Sequence, residues 1–410
     1  MEAEPHTRRN SLPTSWSVQR LGEICKVTTG KKDVNEGSSS GEYPFFTCSK
    51  DIHYSDSYSF DTEAILVAGN GAVGETKYYR GRFEAYQRTY VLDQFSAFAP
   101  YLFLFLKGTL VAEITKHITG STMPYIRKGD LENVEVAIPP LSEQKRIAIV
   151  LGLVQRAIDQ QERLVALTAE LKKALLYQLF THGLRGAPQK QTDIGPVPEG
   201  WDLVPLGSLA KVGNGSTPKR GNGAYWEGGS IPWLNSTKIH ERFITQADQF
   251  VTDFAVKECH LPRVKPNSLL IAITGQGKTL GNSALVSFQT TINQHLAYAQ
   301  FTSLRVVPEF VLWFMQTRYE HLRSISQGGG STKGALTCGF LKTYTIPVPE
   351  LDEQQEIAKA FAALDHKEKA QERKHVTLTA LFRTLLHQLM TAQIRVNDLE
   401  LASLCTEELE

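Results

Sequence analysis

The chain has 410 residues, which is long for one core and favours two or more domains. Apolar residues make up 41% and charged residues 21%, a globular composition that excludes a disordered or membrane-embedded chain. A net charge of +1 excludes a strongly basic protein that would hold nucleic acid by bulk charge alone.

The first residues, MEAEPHTRRNSLPTSW, lack an apolar signal core, and the longest apolar run, Tyr101 to Leu106, is too short to cross a bilayer. The cysteines (Cys25, Cys48, Cys259, Cys338 and Cys405) are widely spaced and form no C-x-x-C pair, so idle thiols in a reducing cytoplasm are expected. The first body, 1–140, is net −2. It contains strand-type runs: YPFFTC from Tyr43, AILVAG from Ala64, TKYYRG from Thr76 and TYVLDQF from Thr89. An apolar, helix-like stretch follows near Tyr101 to Ile114.

Pro139 and Pro140 stop that body, and Ser142 stands as a helix N-cap ahead of Glu143 and Gln144, which suit the positive end of the helix dipole. Ile147, Val150, Val154, Ile158, Gln161, Leu164, Thr168, Leu171 and Leu175 then recur at near-heptad spacing. From Ser142 to Phe180 the helix would hold 39 residues and measure roughly 58 Å at about 1.5 Å per residue. The stretch Thr181 to Gly200 is rich in Gly and Pro without periodicity and reads as a linker.

The second body carries strand-type runs at Ser230, Ser268, Ser283 and His295 and a helix-like stretch from Phe310 to Ile325. Residues 190–350 are net +4. Pro349 stops it, Asp352 takes the cap position, and Ile357, Phe361, Leu364, Val376, Leu381, Leu385 and Leu389 form a second stripe with Lys367, Gln371 and Lys374 in its middle. The tail from Thr391 to Glu410 is acidic at its end.

This plan is an internal duplication. PPLSEQKRIAIV from Pro139 returns as PELDEQQEIAKA from Pro349, and 14 of the 42 positions from Pro139 to Phe180 are identical at a displacement of 210, where chance gives roughly two or three. Gly120-Ser121-Thr122 repeats as Gly330-Ser331-Thr332, Trp16 and Leu21-Gly22 as Trp201 and Leu206-Gly207, and Gly71 aligns with Gly277. The divisions are therefore 1–140, 141–187, 188–350 and 351–410. The expected fold class is α+β: two similar domains, each followed by a long helix, with the two helices pairing as an antiparallel coiled coil of pseudo-two-fold symmetry and mid-seam polar residues fixing register.

Two glycine-rich stretches resemble cofactor loops and fail on context. Gly69, Gly71 and Gly74 fit G-x-G-x-x-G, but a strand rather than a helix follows. Thr274 to Thr279, TGQGKT, has Ala272 where a phosphate loop requires its first glycine. Both read as hairpin turns whose backbone approaches either its own fold or a nucleic-acid strand. Glu170-Leu-Lys172 and Asp365-His-Lys367 have nuclease-like spacing but read as salt-bridging surface charge on the helices. With no metal cluster and no methyl-donor loop in the sequence, the chain reads as non-catalytic, without a cofactor of its own.

Basic and polar residues beside aromatic ones recur near the turns of both bodies: Lys31, Lys32, Asn70, Lys77, Tyr79, Arg80, Gln87 and Arg88 in the first, Thr217, Lys219, Arg220, Tyr225, Trp226, Gln276 and Lys278 in the second. Such side chains hold phosphates or read base edges, or simply face solvent.

Two dissimilar bodies, each closed by an Ile-Pro stop, a Glu-Gln pair and a long helix, resemble the specificity subunits of type I restriction-modification systems across essentially the whole chain. Residues from Gly213 to Asn235 add Thr217-Pro218, Tyr225-Trp226 and Ile231-Pro232-Trp233, which are similar to a signature of target-recognition domains; the first body departs from it as another subtype. The resemblance implies double-stranded DNA as ligand, a bipartite target read in the major groove by the two bodies, and helices acting as a ruler for the unread spacer. It also implies two methyltransferase subunits using S-adenosylmethionine and a restriction subunit that translocates with ATP. The alternatives are a protein scaffold indifferent to DNA and a nucleotide-binding enzyme built on Thr274 to Thr279.

Overall fold

Proline chemistry sets the boundaries at which each body meets its helix. In the computed structural model, which describes residues 12–115, 125–275, 278–327 and 336–396, strand Glu135–Ile138 ends at Pro139 and strand Thr345–Val348 ends at Pro349. Long helices follow at Leu141–His182 and Leu351–Met390. Each starts one residue before the expected caps Ser142 and Asp352, because the carbonyls of Pro140 and Glu350 already accept the first helical N–H groups, from Gln144 at 3.0 Å and Gln354 at 3.1 Å.

The chain divides into two compact units, Met1–Arg163 with Glu372–Glu410, and Leu164–Gln371, so the division falls inside both long helices. In the first unit a six-stranded sheet has the order Lys26–Thr29, Thr89–Asp93, Phe60–Ala68, Thr76–Ala85, Tyr43–Phe46, His53–Ser55. All its neighbours are antiparallel except Tyr43–Phe46 with Thr76–Ala85. Helix Ala99–Thr115 packs Leu102, Phe105, Leu106 and Leu110 into the same core as Ile147, Leu151 and Ile158 of one long helix and Phe382, Leu386 and Leu389 of the other.

The second unit has a five-stranded sheet, Ala210–Asn214, Leu296–Phe301, Ser268–Ala272, Ser283–Val286, Phe243–Ile244, and a smaller one of Gln249–Val251, Ile231–Leu234 and Thr291–Ile292. Its apolar helix is broken at Arg318 into Pro308–Thr317 and Tyr319–Gln327. The linker is not structureless: Gln189–Thr192 and Gly195–Pro198 pair antiparallel, and Ile194 and Val197 enter the core.

One scheme fastens both bodies. The opening strand pairs antiparallel with the closing one, Ser17–Arg20 with Glu135–Ile138 and Asp202–Pro205 with Thr345–Val348. The Trp16 indole donates to Glu143 Oε2 at 3.1 Å, and Trp201 donates to Glu353 Oε2 at 3.1 Å. Gln144 donates to Pro139 O at 2.8 Å and accepts from Phe98 N at 2.8 Å; Gln354 does the same with Pro349 O at 2.7 Å and Val307 N at 2.8 Å. The Glu-Gln pair thus ties strand, helix and body together, a role its spacing did not reveal.

Within the second unit the two long helices run antiparallel: Thr168 bonds Gln371, while Lys172, one turn on, bonds Asp365 and Glu368 at 2.9 and 2.6 Å. The seam differs from the heptad expectation. Leu164 and Leu171 face solvent, as do Val376 and Leu381, while Lys172 and Asp365 are buried. The rest of the expected stripe stays in: Ile147, Val150, Ile158, Gln161 and Thr168 are buried and Leu175 packs against the core, so heptad spacing persists while the buried position moves one residue on, from Leu171 to Lys172. Lys172 and Asp365 are therefore not the surface charges their spacing suggested. Arg242 also reaches Asp365, Lys369 lies 3.1 Å from it, and Lys172 sits 5.2 Å from the Trp313 ring centre. Burial pulls the Lys172 amine below its usual range; the hydrogen bond to Glu368 opposes this and Arg242 adds to it.

Cys25 is buried, which pushes its thiol up to about 12; Cys405 lies outside the described residues. The pairs Gly120-Ser121-Thr122 and Gly330-Ser331-Thr332 also lie outside them.

Replacing Asp365 by alanine leaves Lys172 and Arg242 without their shared buried partner, and the expected loss is about 3 kcal/mol of stability, measured by urea unfolding.

Candidate nucleic-acid interface

Each body contains a chain crossing so close that only glycine fits. In the first, strand Lys26–Thr29 leads to Gly30, where a Cβ would run into the carbonyl of Ala85. In the second, strand Ala210–Asn214 leads to Gly215, where a Cβ would run into the carbonyl of Ile292. Two residues on from each carbonyl the chain exposes a short segment held on both sides, Gln87-Arg88 in one body and Gln294-His295 in the other.

The holding bonds correspond. Tyr86 N donates to Phe46 O at 3.0 Å and Arg88 O accepts from Gly69 N at 2.9 Å, with Gln87 N donating to Lys32 O at 3.0 Å as an extra bond in this body. In the second body Asn293 N donates to Leu234 O at 2.9 Å and His295 O accepts from Ile273 N at 3.0 Å. Gly69 O then accepts from Ile126 N at 2.9 Å, as Ile273 O does from Leu336 N at 2.8 Å.

Beside each segment lies a hairpin turn. Ala68 and Glu75 close one and Ala272 and Asn282 the other, through bonds of 3.0 and 2.9 Å. Gly71 and Gly74 take φ of +61° and +79°, and Gly281 takes +86°. Gly74 N donates to Ala68 O and Gly281 N to Ala272 O, both at 3.0 Å, so Gly74 matches Gly281. The expected partner of Gly71, Gly277, lies outside the described residues. Both turns join two strands, so neither presents the helix N-terminus on which a dinucleotide or phosphate loop depends.

In the first body the crossing and the turn gather Lys31, Asn70 and Arg88, with Lys31 and Arg88 exposed. Other candidates are engaged within the fold. Lys32 Nζ donates to Ser55 Oγ and Ser57 Oγ at 2.9 and 2.7 Å and lies 3.7 Å from buried Glu84. Lys77 Nζ donates to Ser49 O at 2.7 Å, and burial lowers its pKa. Tyr79 packs against Phe46 and Phe83. Arg80 is exposed in mid-strand opposite Glu63.

In the second body Thr217 donates to Gln294, and Lys278 is exposed at the turn while its carbonyl accepts from Tyr319 Oη at 2.9 Å. The Trp226 and Trp233 indoles donate to Lys219 O at 3.3 Å and Ser216 O at 3.2 Å. The Arg220 guanidinium lies 4.0 Å from the Trp226 ring centre and 4.8 Å from that of Trp233. Tyr225 packs on Phe254. Trp226 and Trp233 thus brace the 215–222 loop that presents Lys219 and Arg220 to solvent. Gln276 lies outside the described residues.

Sequence reasoning missed Gln294, His295 and His240, and named Thr274 only as the start of a glycine-rich turn. His295 Nδ1 lies 2.5 Å from Thr274 Oγ1 and its Nε2 lies 3.2 Å from Gln294 Nε2, while His240 Nε2 lies 3.3 Å from Thr279 Oγ1. The available signal was a Gln followed by a basic or imidazole side chain just before a strand, Gln87-Arg88 and Gln294-His295.

The family described as type I restriction modification DNA specificity domain matches residues 13–169 and again 198–379. The EcoDI specificity subunit of Escherichia coli is 38% identical over 180 residues, covering 44% of this chain and 40% of that one. The MjaVIII specificity subunit of Methanocaldococcus jannaschii is 22% identical over 419 residues, 95% of each chain. The fold is similar to that of a type I restriction-modification S subunit from M. genitalium, with a TM-score of 0.63 at 16% identity over 91% of this chain and 96% of that one.

Gly30→Ala and Gly215→Ala each force the crossing apart, and each is expected to cost about 1–3 kcal/mol, seen as a lowered Tm in calorimetry.

Proposed function

Because the chain belongs to the type I restriction-modification DNA specificity family, we propose that it is the subunit that reads a two-part DNA target and directs methylation and cleavage by partner subunits. The observation that carries this reading is one backbone arrangement built twice with different side chains. Gly30 and Gly215 make the same crossing, yet Lys31, Asn70 and Arg88 surround one and Thr217, Thr274, His295 and Lys278 the other. A duplicated scaffold with two different polar rims suits a target whose halves differ in sequence.

The near-neutral chain has little bulk charge to spend on phosphates, so much of the DNA affinity comes from the assembly. Two methyltransferase subunits carrying S-adenosylmethionine supply the modification chemistry, and a restriction subunit that translocates with ATP supplies cleavage. This chain contributes recognition, in the cytoplasm where the DNA is; among the described residues no helix is long and apolar enough to cross a membrane. The first long helix offers a docking face: Leu164, Leu167 and Leu171 are exposed at spacings of three and four, a stripe that helices of a partner can cover.

Co-expression with the methyltransferase subunit, followed by sequencing of methylated adenines in host DNA, is expected to give a gapped two-part motif that vanishes when this chain is deleted; a scaffold indifferent to DNA gives no such dependence. Leu167→Asp with Leu171→Asp is expected to abolish co-purification with the methyltransferase while shifting stability by no more than about 0.5 kcal/mol, since both side chains are exposed.

A further inference from the structure

We infer that Gln87 and Gln294 are the paired base-reading side chains of the two bodies, each reading one half of the target. This rests on the DNA-recognition reading above and goes beyond it by naming the residues and the base chemistry. The inference comes from equivalence in place. Gln87 follows Ala85, and Gln294 follows Ile292, at the same remove from the carbonyl that meets Gly30 or Gly215. Elsewhere the two bodies differ around these crossings, but the glutamine is kept in both.

Geometry suits the role. Both glutamines are exposed, while the chain on either side of them is buried: Ala85 and Thr89 around the first, Asn293 and Leu296 around the second. The backbone beneath is fixed by the bonds to Lys32, Gly69, Leu234 and Ile273. Such a side chain loses little freedom on binding because its base is already in place. Each amide is steered by a neighbour on the loop after the glycine: Gln87 Nε2 donates to Asp33 Oδ2 at 3.3 Å, and Gln294 Oε1 accepts from Thr217. An amide has two donor hydrogens and two acceptor lone pairs, so capacity remains for a base edge. A carboxamide matches adenine in the major groove, accepting from its N6 amino group while donating to N7. Arg88 and His295, next in the chain and also exposed, stand where a second base or a phosphate would be met.

The test uses the full chain in complex with its methyltransferase subunits. Host DNA methylated by wild type, Gln87→Ala and Gln294→Ala complexes is sequenced, with Tm measured for each variant. Each alanine variant is expected to relax one adenine-containing position in one half of the motif, by about ten- to a hundredfold in discrimination, and to leave the other half unchanged. The two variants must affect opposite halves, with Tm unmoved. A wild-type motif that both variants leave intact overturns the inference alone, as does a uniform loss of methylation at every position. A wild-type complex that leaves no two-part motif overturns the reading of function, and this inference with it.

Discussion

A carboxylate at the first turn of each long helix holds the whole arrangement together. Glu143 and Glu353 are where the indole of the entering chain, the first turn of the long helix and the residues following the other long helix meet: Arg395 forks onto Glu143 at 2.7 and 2.9 Å, and Leu184 N donates to Glu353 at 2.9 Å. The adjacent glutamine closes the same joint from the side of the body. Removing either carboxylate strands a buried indole N–H, whose desolvation costs about 1–3 kcal/mol. The two joints share the indole, the proline carbonyl and the backbone N–H of the body, and they differ after the helix, where a guanidinium meets Glu143 and a backbone N–H meets Glu353.

Much of this was legible in the sequence, and the parts that were not share a cause. The duplication, the strands and the proline stops depend on local residue type and spacing, and they appear where expected. Most of the seam of the long helices was legible, since Ile147, Val150, Ile158, Gln161 and Thr168 are buried as their spacing predicts; Leu164 and Leu171 were misplaced, while Lys172, unwelcome in a seam on chemistry alone, is buried against Asp365 and Glu368. Partners 193 and 196 residues away in sequence decide that outcome. Likewise the hairpin at Gln189–Thr192 and Gly195–Pro198 looked like linker because its apolar content is two residues, Ile194 and Val197, and the core they enter lies elsewhere in the chain.

The candidate site was half legible for a similar reason. Basic residues beside aromatics are visible as types, but whether an ammonium faces solvent depends on acceptors far away in sequence. Lys32 and Lys77 are drawn inward by Ser55, Glu84 and the Ser49 carbonyl, whereas Lys31 and Arg88 stay out. Trp226, named from sequence among the residues that could contact DNA, lies with Trp233 against Arg220 and supports the loop that presents it. Aromatic support under an exposed cation is itself useful, since it limits the entropy lost when the cation is engaged.

The strand pair at the foot of each body carries a consequence for how such proteins change. Ser17–Arg20 lies against Glu135–Ile138, and Asp202–Pro205 against Thr345–Val348, so each body leaves and re-enters the scaffold at neighbouring points. The intervening residues can be exchanged for another sequence that starts and stops on the same pair, and the joint at Glu143 or Glu353 is rebuilt without alteration. In genetic terms, a single crossover within the tail repeat passes a complete reading head from one lineage to another, so new combinations arise by inheritance of intact parts rather than by residue-by-residue adjustment.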